Sequence, residues 1–230
     1  MTVKDAADSR DVYWAKPSGA PPAAGWPAVL LYQGTGFGPS VTWNVDLPVD
    51  ISFGGYYQVA LVAALLDAGF LVIQPPANGP AWNTNGVGNY DTSPDSAFIP
   101  QLLSEMADGT FGSIDMTRLY ATGISSGGYM TSRMAVSYPG RFRALAIESG
   151  SYATCLGPIC NIPNKLPLDH PPTLFLHGDQ DAIVPIGTAK AYYKKLQDQG
   201  FETKFDEDPQ ASHQWLSVAP KDVVQWFTTH

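Results

Sequence analysis

The chain has 230 residues, of which 44% are hydrophobic and 15% charged, as in a folded globular protein large enough to bury a sizeable core. Its 13 basic and 21 acidic residues give a net charge of −8, so nucleic acid is not an expected partner. No apolar run has the length of a membrane span, and no basic-then-apolar leader opens the chain. We expect a monomer with one domain over residues 1–230, of which residues 1–10 are loosely ordered.

Predicted strands and helices alternate along the chain. Strands are predicted at 11–16, 28–32, 70–73, 119–122, 143–148, 173–177 and 201–206, and helices at 58–68, 96–106, 129–136, 188–199 and 220–227. This alternation predicts an α/β fold with a mostly parallel central sheet and helices on both faces. The segment 149–172 lacks periodicity and is too short to form a separate lid domain.

The segment 119–134 passes from a strand-like run to a helix-like run through a turn that contains Gly123, Ser125, Gly127 and Gly128. A serine between glycines at a strand-to-helix turn is typical of the nucleophile elbow of an α/β-hydrolase. Chance alone would place the bare pattern in roughly one of seven such chains, so the assignment depends on the residues around it. The alternative is a glycine-rich turn with a bystander serine.

A serine hydroxyl needs a base that a third group orients, and in this fold the chain order is serine, acid, histidine. Of the four histidines, His170 precedes a strand, His177 ends one and His230 is terminal. Only His213 follows the last strand and precedes the last helix, which is where the base must come from. For the acid we favour Asp181, beyond the end of a strand, over its neighbour Asp179, which would more naturally shape the turn.

Two backbone amides are predicted to form the oxyanion hole. Ser126 follows the nucleophile at the start of the helix, and Thr35 lies in the glycine-rich segment after the strand 28–32. The alternative for Thr35 is an ordinary glycine-rich loop. These residues together predict acyl transfer through an acyl-enzyme, with an activity that falls when His213 becomes protonated.

The chain resembles the polyhydroxybutyrate depolymerase/feruloyl esterase family of α/β-hydrolases. The resemblance covers most of the chain from Asp11 onward, and it is carried by the segments 95–99, 114–120, 123–130, 138–150 and 177–181. It implies the α/β-hydrolase fold and an exported enzyme that cleaves hydroxyalkanoate polyesters or esters of aromatic acids. The family has His-Gly-Cys where this chain has Gln33-Gly34-Thr35, so we expect Gln33 to alter the pocket wall.

Aromatic residues in loops at the carboxyl edge of the sheet are predicted to form a shallow, lidless substrate cleft. They are Trp43, Tyr56, Tyr57, Trp82 and Trp215. Trp82 with Asn83 is similar to a pair that the family carries near its site. The alternative for each aromatic residue is that it packs its own loop.

Cys155 and Cys160 lie close together in one loop, so we expect a local disulfide and an exported, extracellular protein whose leader has been removed. Two buried thiols are the alternative. No further thiolates or histidine pair lie nearby to make a metal site, and the sequence gives no sign of an organic cofactor.

The sequence therefore predicts a serine-dependent carboxylic ester hydrolase acting on polyester or aryl-ester substrates. A serine peptidase of the oligopeptidase type is the closest alternative, since the elbow pattern also suits such enzymes. A non-catalytic hydrolase-like binding protein is an alternative of a different class.

Overall fold

A computed structural model describes residues 1–4, 8–43, 52–86 and 88–230. Within these ranges the strands are β1 (Thr2–Lys4), β2 (Ser9–Asp11), β3 (Tyr13–Ala15), β4 (Trp26–Tyr32), β5 (Leu71–Gln74), β6 (Ile114–Ile124), β7 (Ala144–Glu148), β8 (Thr173–Gly178) and β9 (Thr203–Asp208). The helices are α1 (Pro39–Thr42), α2 (Gly55–Asp67), α3 (Pro94–Ala107), α4 (Ser126–Ser137), α5 (Ile186–Asp198) and α6 (Ala219–Thr229), and a 3-10 turn covers Ser52–Gly54. No helix in the described ranges is both long and apolar enough to cross a bilayer.

The central sheet has the strand order β3-β5-β4-β6-β7-β8-β9 in the described part of the chain. Only β3 runs antiparallel to its neighbour, and the other pairs are parallel. The predicted α/β fold with a mostly parallel sheet is confirmed. Because parallel strands all end at one edge, the loops after β4, β6, β7 and β8 meet there.

Helices cover both faces of this sheet, and successive strand residues alternate between the two cores. On one face, Leu30, Leu119 and Leu145 pack with α3 and α4, and α5 extends this side. On the other face, Val29 and Tyr120 pack with residues of α2 and α6. β4 is buried along its whole length, because helices cover both of its faces. This is why its sequence is a continuous apolar run.

The observed elements differ from the predicted ones chiefly at their ends. Residues 2–4 and 9–11 pair as an antiparallel two-stranded sheet, although residues 1–10 were expected to be loosely ordered, and residues 5–7 lie outside the described ranges. Helix α3 begins earlier than predicted, because Ser93 caps it and Pro94 occupies its first turn. Cys155 and Cys160 form the predicted disulfide.

The turn between β6 and α4 brings the first turn of the helix against the backbone of β4. A Cβ atom on Gly127 would lie 2.1 Å from the Tyr32 carbonyl oxygen and 2.6 Å from that of Gln33. At Gly123 the Tyr32 oxygen would be 2.5 Å away. Glycine at both positions therefore allows a strand-to-helix turn that any larger residue would force apart.

The substitution Gly127→Ala should lower the free energy of unfolding by about 3 kcal/mol or more, because the new methyl group meets backbone that cannot move aside. Gly187→Ala is the matched control, since a Cβ there meets nothing within 4 Å at an exposed helical position. It should be neutral or slightly stabilising. Urea titration of both variants checks the difference, and equal stabilities would contradict the close approach.

Candidate active site

Ser125 lies at the carboxyl edge of the sheet, between β6 and α4, with φ 57° and ψ −119°. This strained backbone is fixed from both sides: the Ser125 N–H donates to the Glu148 carbonyl at 3.0 Å, and the Ser125 carbonyl accepts from the Tyr129 N–H at 3.0 Å. Ser125 lines a cavity of about 340 Å³, together with Gly34, Thr35, Phe37, Phe53, Ile183 and His213. The structure thus brings the predicted nucleophile, base and oxyanion loop to one cavity.

His213 is held by Asp181, with 2.7 Å between Nδ1 of the imidazole and Oδ2 of the carboxylate. A carboxylate can only accept, so Nδ1 carries the hydrogen and Nε2 of the neutral ring is left as an acceptor. Gly178 makes this approach possible, since a Cβ there would lie 2.4 Å from the carbonyl oxygens of Ala211 and Ser212. The backbone at the end of β8 is therefore in direct contact with the backbone of the loop that carries His213.

The Asp181 carboxylate is almost fully hydrogen-bonded. Its Oδ1 accepts from the amides of Ile183 at 2.9 Å and Val184 at 2.8 Å. His177 lies with its Nε2 at 3.2 Å from Oδ2 and at 2.8 Å from the Val184 carbonyl. Burial alone would raise the pKa of Asp181, but these hydrogen bonds, with those from His177 and His213 largest, hold it below its ordinary value of 3.8. Asp181 is therefore charged. Asp179, the alternative acid, is exposed to solvent.

Of the two predicted oxyanion donors, Thr35 lines the cavity, and Ser126 directly follows the cavity-lining Ser125. The Ser126 N–H belongs to the first turn of α4, where amides have no partner within the helix. Thr35 is exposed at the tip of the loop after β4, and its amide donates to no group in the described ranges. A helix N-terminus and a neighbouring loop amide are the donors that a developing oxyanion requires.

The loop that carries His213 is fixed from beneath by buried polar groups. Glu148 accepts from the Leu216 N–H at 2.5 Å, and the Ser149 hydroxyl donates to the Gln214 carbonyl at 3.1 Å. Trp215 donates its backbone N–H to Phe53 at 2.9 Å and its indole N–H to Gln58 at 3.0 Å. The position of His213 thus depends on β7 and α2 as well as on Asp181.

The structure corrects the predicted substrate cleft at Trp82 and Trp215. Their side chains are 2% and 1% exposed, so they cannot contact a substrate. The Trp82 amide donates to the Ser126 hydroxyl at 2.8 Å, and its ring packs edge-to-face on Tyr32, which makes Trp82 a brace for the turn that carries Ser125. Trp215 fastens the His213 loop. The indole N–H of Trp215 has a buried partner in Gln58, whereas that of Trp82 has none among the described residues.

The other predicted contact residues also lie away from the cavity lining. Gln33 is buried, and its side-chain oxygen accepts from the Ala77 amide at 3.3 Å, so it braces a loop instead of forming the pocket wall. Trp43 bonds to Gln74, and Tyr57 packs partly buried on the α2–α6 core. Tyr56 is exposed but packs its ring edge against Tyr57.

The apolar walls of the cavity come from Phe37, Phe53 and Ile183, which are not among the predicted substrate-binding residues. Phe37 packs edge-to-face on Phe53, which in turn lies 5.9 Å from the His213 ring. Phe37 and Ile183 could have been found, since each closely follows a predicted site residue. No local pattern marks Phe53, whose place depends on the distant contact with Trp215.

The parallel sheet, the strained serine turn and the Asp181–His213 pair together define an α/β-hydrolase. The sequence model that describes the prolyl oligopeptidase family matches residues 57–156 of the chain. The chain is 50% identical over 226 residues to the poly(3-hydroxyoctanoate) depolymerase of Pseudomonas fluorescens, and the match covers 96% of this chain and 80% of that protein. The chain belongs to the family of that depolymerase and is a carboxylic ester hydrolase.

Shorter and more distant similarities agree with this class. The feruloyl esterase B of Thermothelomyces thermophilus is 36% identical over 96 residues, covering 39% of this chain and 31% of that protein. A crystal structure of a thermostable esterase superposes with a TM-score of 0.74 at 19% identity, over 100% of this chain and 62% of the other. At that identity the superposition supports the fold alone.

Replacing Asp181 and Asp179 one at a time should show which of the two carboxylates orients His213. Asp181→Asn leaves the shape unchanged but removes the charge that orients the His213 ring, so kcat for a nitrophenyl ester should fall by about four orders of magnitude. Asp179→Asn, at an exposed carboxylate two residues away, should change kcat less than twofold. Similar losses in the two variants would contradict the assignment of Asp181.

Glu148 should make the protein less stable as pH rises. Burial raises the pKa of its carboxyl well above 4.5 in the folded protein, and the nearby Asp206 carboxylate adds to this. Protonated Glu148 therefore favours the folded state at low pH, and that stabilisation is lost as pH rises from the unfolded pKa towards the raised folded one. Denaturant titrations from pH 4 to 8 should show Glu148→Gln gaining stability over the native chain as pH rises. A constant difference between them would contradict this.

Proposed function

We propose that Ser125 is the nucleophile, His213 the general base and Asp181 the group that orients it. One observation carries the proposal: Ser125, His213 and Thr35 line a single cavity while Nδ1 of His213 lies 2.7 Å from Asp181. The ring nitrogen left as an acceptor, Nε2, is then the one available to take the serine proton.

The chemistry is acyl transfer in two steps. Nε2 of His213 takes the Ser125 proton as Oγ attacks the ester carbonyl carbon, and the imidazolium that forms is stabilised by the Asp181 carboxylate. The carbonyl oxygen becomes an oxyanion and is bound by the Ser126 and Thr35 amides, each worth about 3 to 4 kcal/mol in comparable sites. His213 then returns the proton to the leaving alcohol, and water repeats the attack on the acyl-enzyme.

The substrate that these features favour is an aliphatic polyester with alkyl side chains, or its oligomers. The cavity is lined mainly by Phe37, Phe53 and Ile183, and its volume of about 340 Å³ is at the lower end of the range for ligand pockets. A relative that is 50% identical over nearly the whole chain is a depolymerase of poly(3-hydroxyoctanoate), whose repeat unit carries a five-carbon side chain. The disulfide between Cys155 and Cys160 supports an exported enzyme.

A peptidase is the competing function, because the prolyl oligopeptidase family model matches residues 57–156. That match includes Ser125 but ends before Asp181 and His213. It therefore covers the serine turn and not the residues proposed as acid and base. Choice of substrate separates the two functions directly.

Ser125→Ala should abolish both labelling by a fluorophosphonate and hydrolysis of nitrophenyl butyrate, with at least a 10³-fold loss of rate. Ser137→Ala, at the other end of α4, should retain labelling because its hydroxyl makes no hydrogen bond within the described ranges. The native chain should release acid from poly(3-hydroxyoctanoate) film and leave peptide anilides uncut. Persistent labelling of the Ser125→Ala variant would exclude Ser125 as nucleophile, and cleavage of anilides in preference to esters would support the peptidase.

A further inference from the structure

Beside the mouth of the cavity, four apolar side chains are exposed to solvent. Leu156 and Ile159 are 59% and 73% exposed, and Ile183 and Phe53 are 54% and 44% exposed. We call these four residues the apolar rim. Phe53 and Ile183 line the cavity itself, and a Cβ on Gly157 would lie 3.8 Å from the Ile183 carbonyl oxygen. The turn that carries Leu156 and Ile159 therefore adjoins the cavity wall.

This turn is held so that its apolar side chains stay outside the core. Leu156 and Ile159 exchange backbone hydrogen bonds of 2.7 and 3.0 Å, and the Cys155–Cys160 disulfide closes the turn beneath them. Cys155 is fully buried, and its carbonyl accepts from the Asn85 side chain at 2.5 Å. Isolated exposed apolar residues are common, but these two lie on a cross-linked turn whose Gly157 approaches the backbone of the cavity-lining Ile183.

The two segments that carry most of the rim contain no charged residue. They are residues 150–164 and 182–189, together 23 positions, where a chain with 15% charged residues would carry about three. A protein or nucleic-acid partner is recognised largely through charged and polar groups at the edge of a contact. Two partly exposed segments without charged residues suit a partner that is itself neutral and apolar.

We propose that the apolar rim adsorbs the enzyme to the alkyl side chains at the surface of a solid polyester, and so presents polymer chains to the cavity. This rests on the proposed function. The closeness of the rim to the cavity supports it, because Ile183 approaches Gly157 of the turn and lines the same cavity as Ser125. A soluble small ester needs only the cavity and gains nothing from the turn.

The test compares adsorption with soluble-ester hydrolysis in the double variant Leu156→Ser/Ile159→Ser. Adsorption is measured in the Ser125→Ala background, as depletion of protein from solution onto poly(3-hydroxyoctanoate) film, so that the film is not consumed. Removing two apolar contacts should weaken adsorption about tenfold. With Ser125 present, kcat/KM for nitrophenyl butyrate should stay within twofold of the native value. Leu168→Ser is the matched control, since Leu168 is 96% exposed and lies before β8, at the opposite edge of the sheet.

Adsorption of the double variant equal to that of the native rim, or an equal loss in Leu168→Ser, would overturn the proposal. If the double variant also loses nitrophenyl butyrate hydrolysis, Ile159→Glu at the most exposed rim position must still show the selective loss, or the rim has no such role. Equally tight binding to neutral phosphatidylcholine vesicles would assign the rim to a lipid surface instead. If the enzyme adsorbs through the rim but releases no acid from the film, the proposed polyester hydrolysis is wrong, whereas the proposed role of the rim in adsorption is supported.

Discussion

The site depends on the close approach of the first turn of α4 to the backbone of β4. Gly127 lies where a methyl group would meet the Tyr32 carbonyl at 2.1 Å, and the same tight turn holds Ser125 in a strained conformation with φ 57°. The strain is held by two backbone hydrogen bonds, to Glu148 and from Tyr129. Because the serine cannot relax into the helix, its side chain stays at the carboxyl edge of the sheet, where the loops after the other strands converge.

A second constraint brings the base to that edge. The end of β8 and the His213 loop pass at backbone contact because Gly178 has no side chain, and the loop is then fixed by Glu148, Ser149 and Trp215. Asp181 completes the arrangement, since its four hydrogen bonds keep it charged and still. Positioning of this kind moves the entropic cost of catalysis from the reaction to folding.

Whether a feature of the structure can be predicted from the sequence depends on how far apart in the chain its interacting residues lie. The turn at Ser125, the order serine–acid–histidine and the local disulfide are set by neighbouring residues or by topology, and all could be predicted. Phe37 and Ile183 closely follow predicted site residues, but the Phe53 wall of the cavity could not be predicted, because its position depends on a contact between distant segments. Trp215 has the loop position of a substrate-binding residue but is buried on Gln58, 157 residues earlier. Its backbone N–H donates to the carbonyl of Phe53, which lines the cavity. Short-range patterns identify chemistry better than they identify which aromatic rings remain exposed.

Ser125, His213 and the two amides are proposed to act on one carbonyl group, which a crystal structure of the enzyme after reaction with a nitrophenyl alkylphosphonate would reveal. Phosphorus should be bonded to Oγ of Ser125, with the phosphoryl oxygen about 2.7 to 3.1 Å from the backbone nitrogens of both Thr35 and Ser126. An adduct on another residue, or a phosphoryl oxygen turned away from both amides, would contradict this proposal.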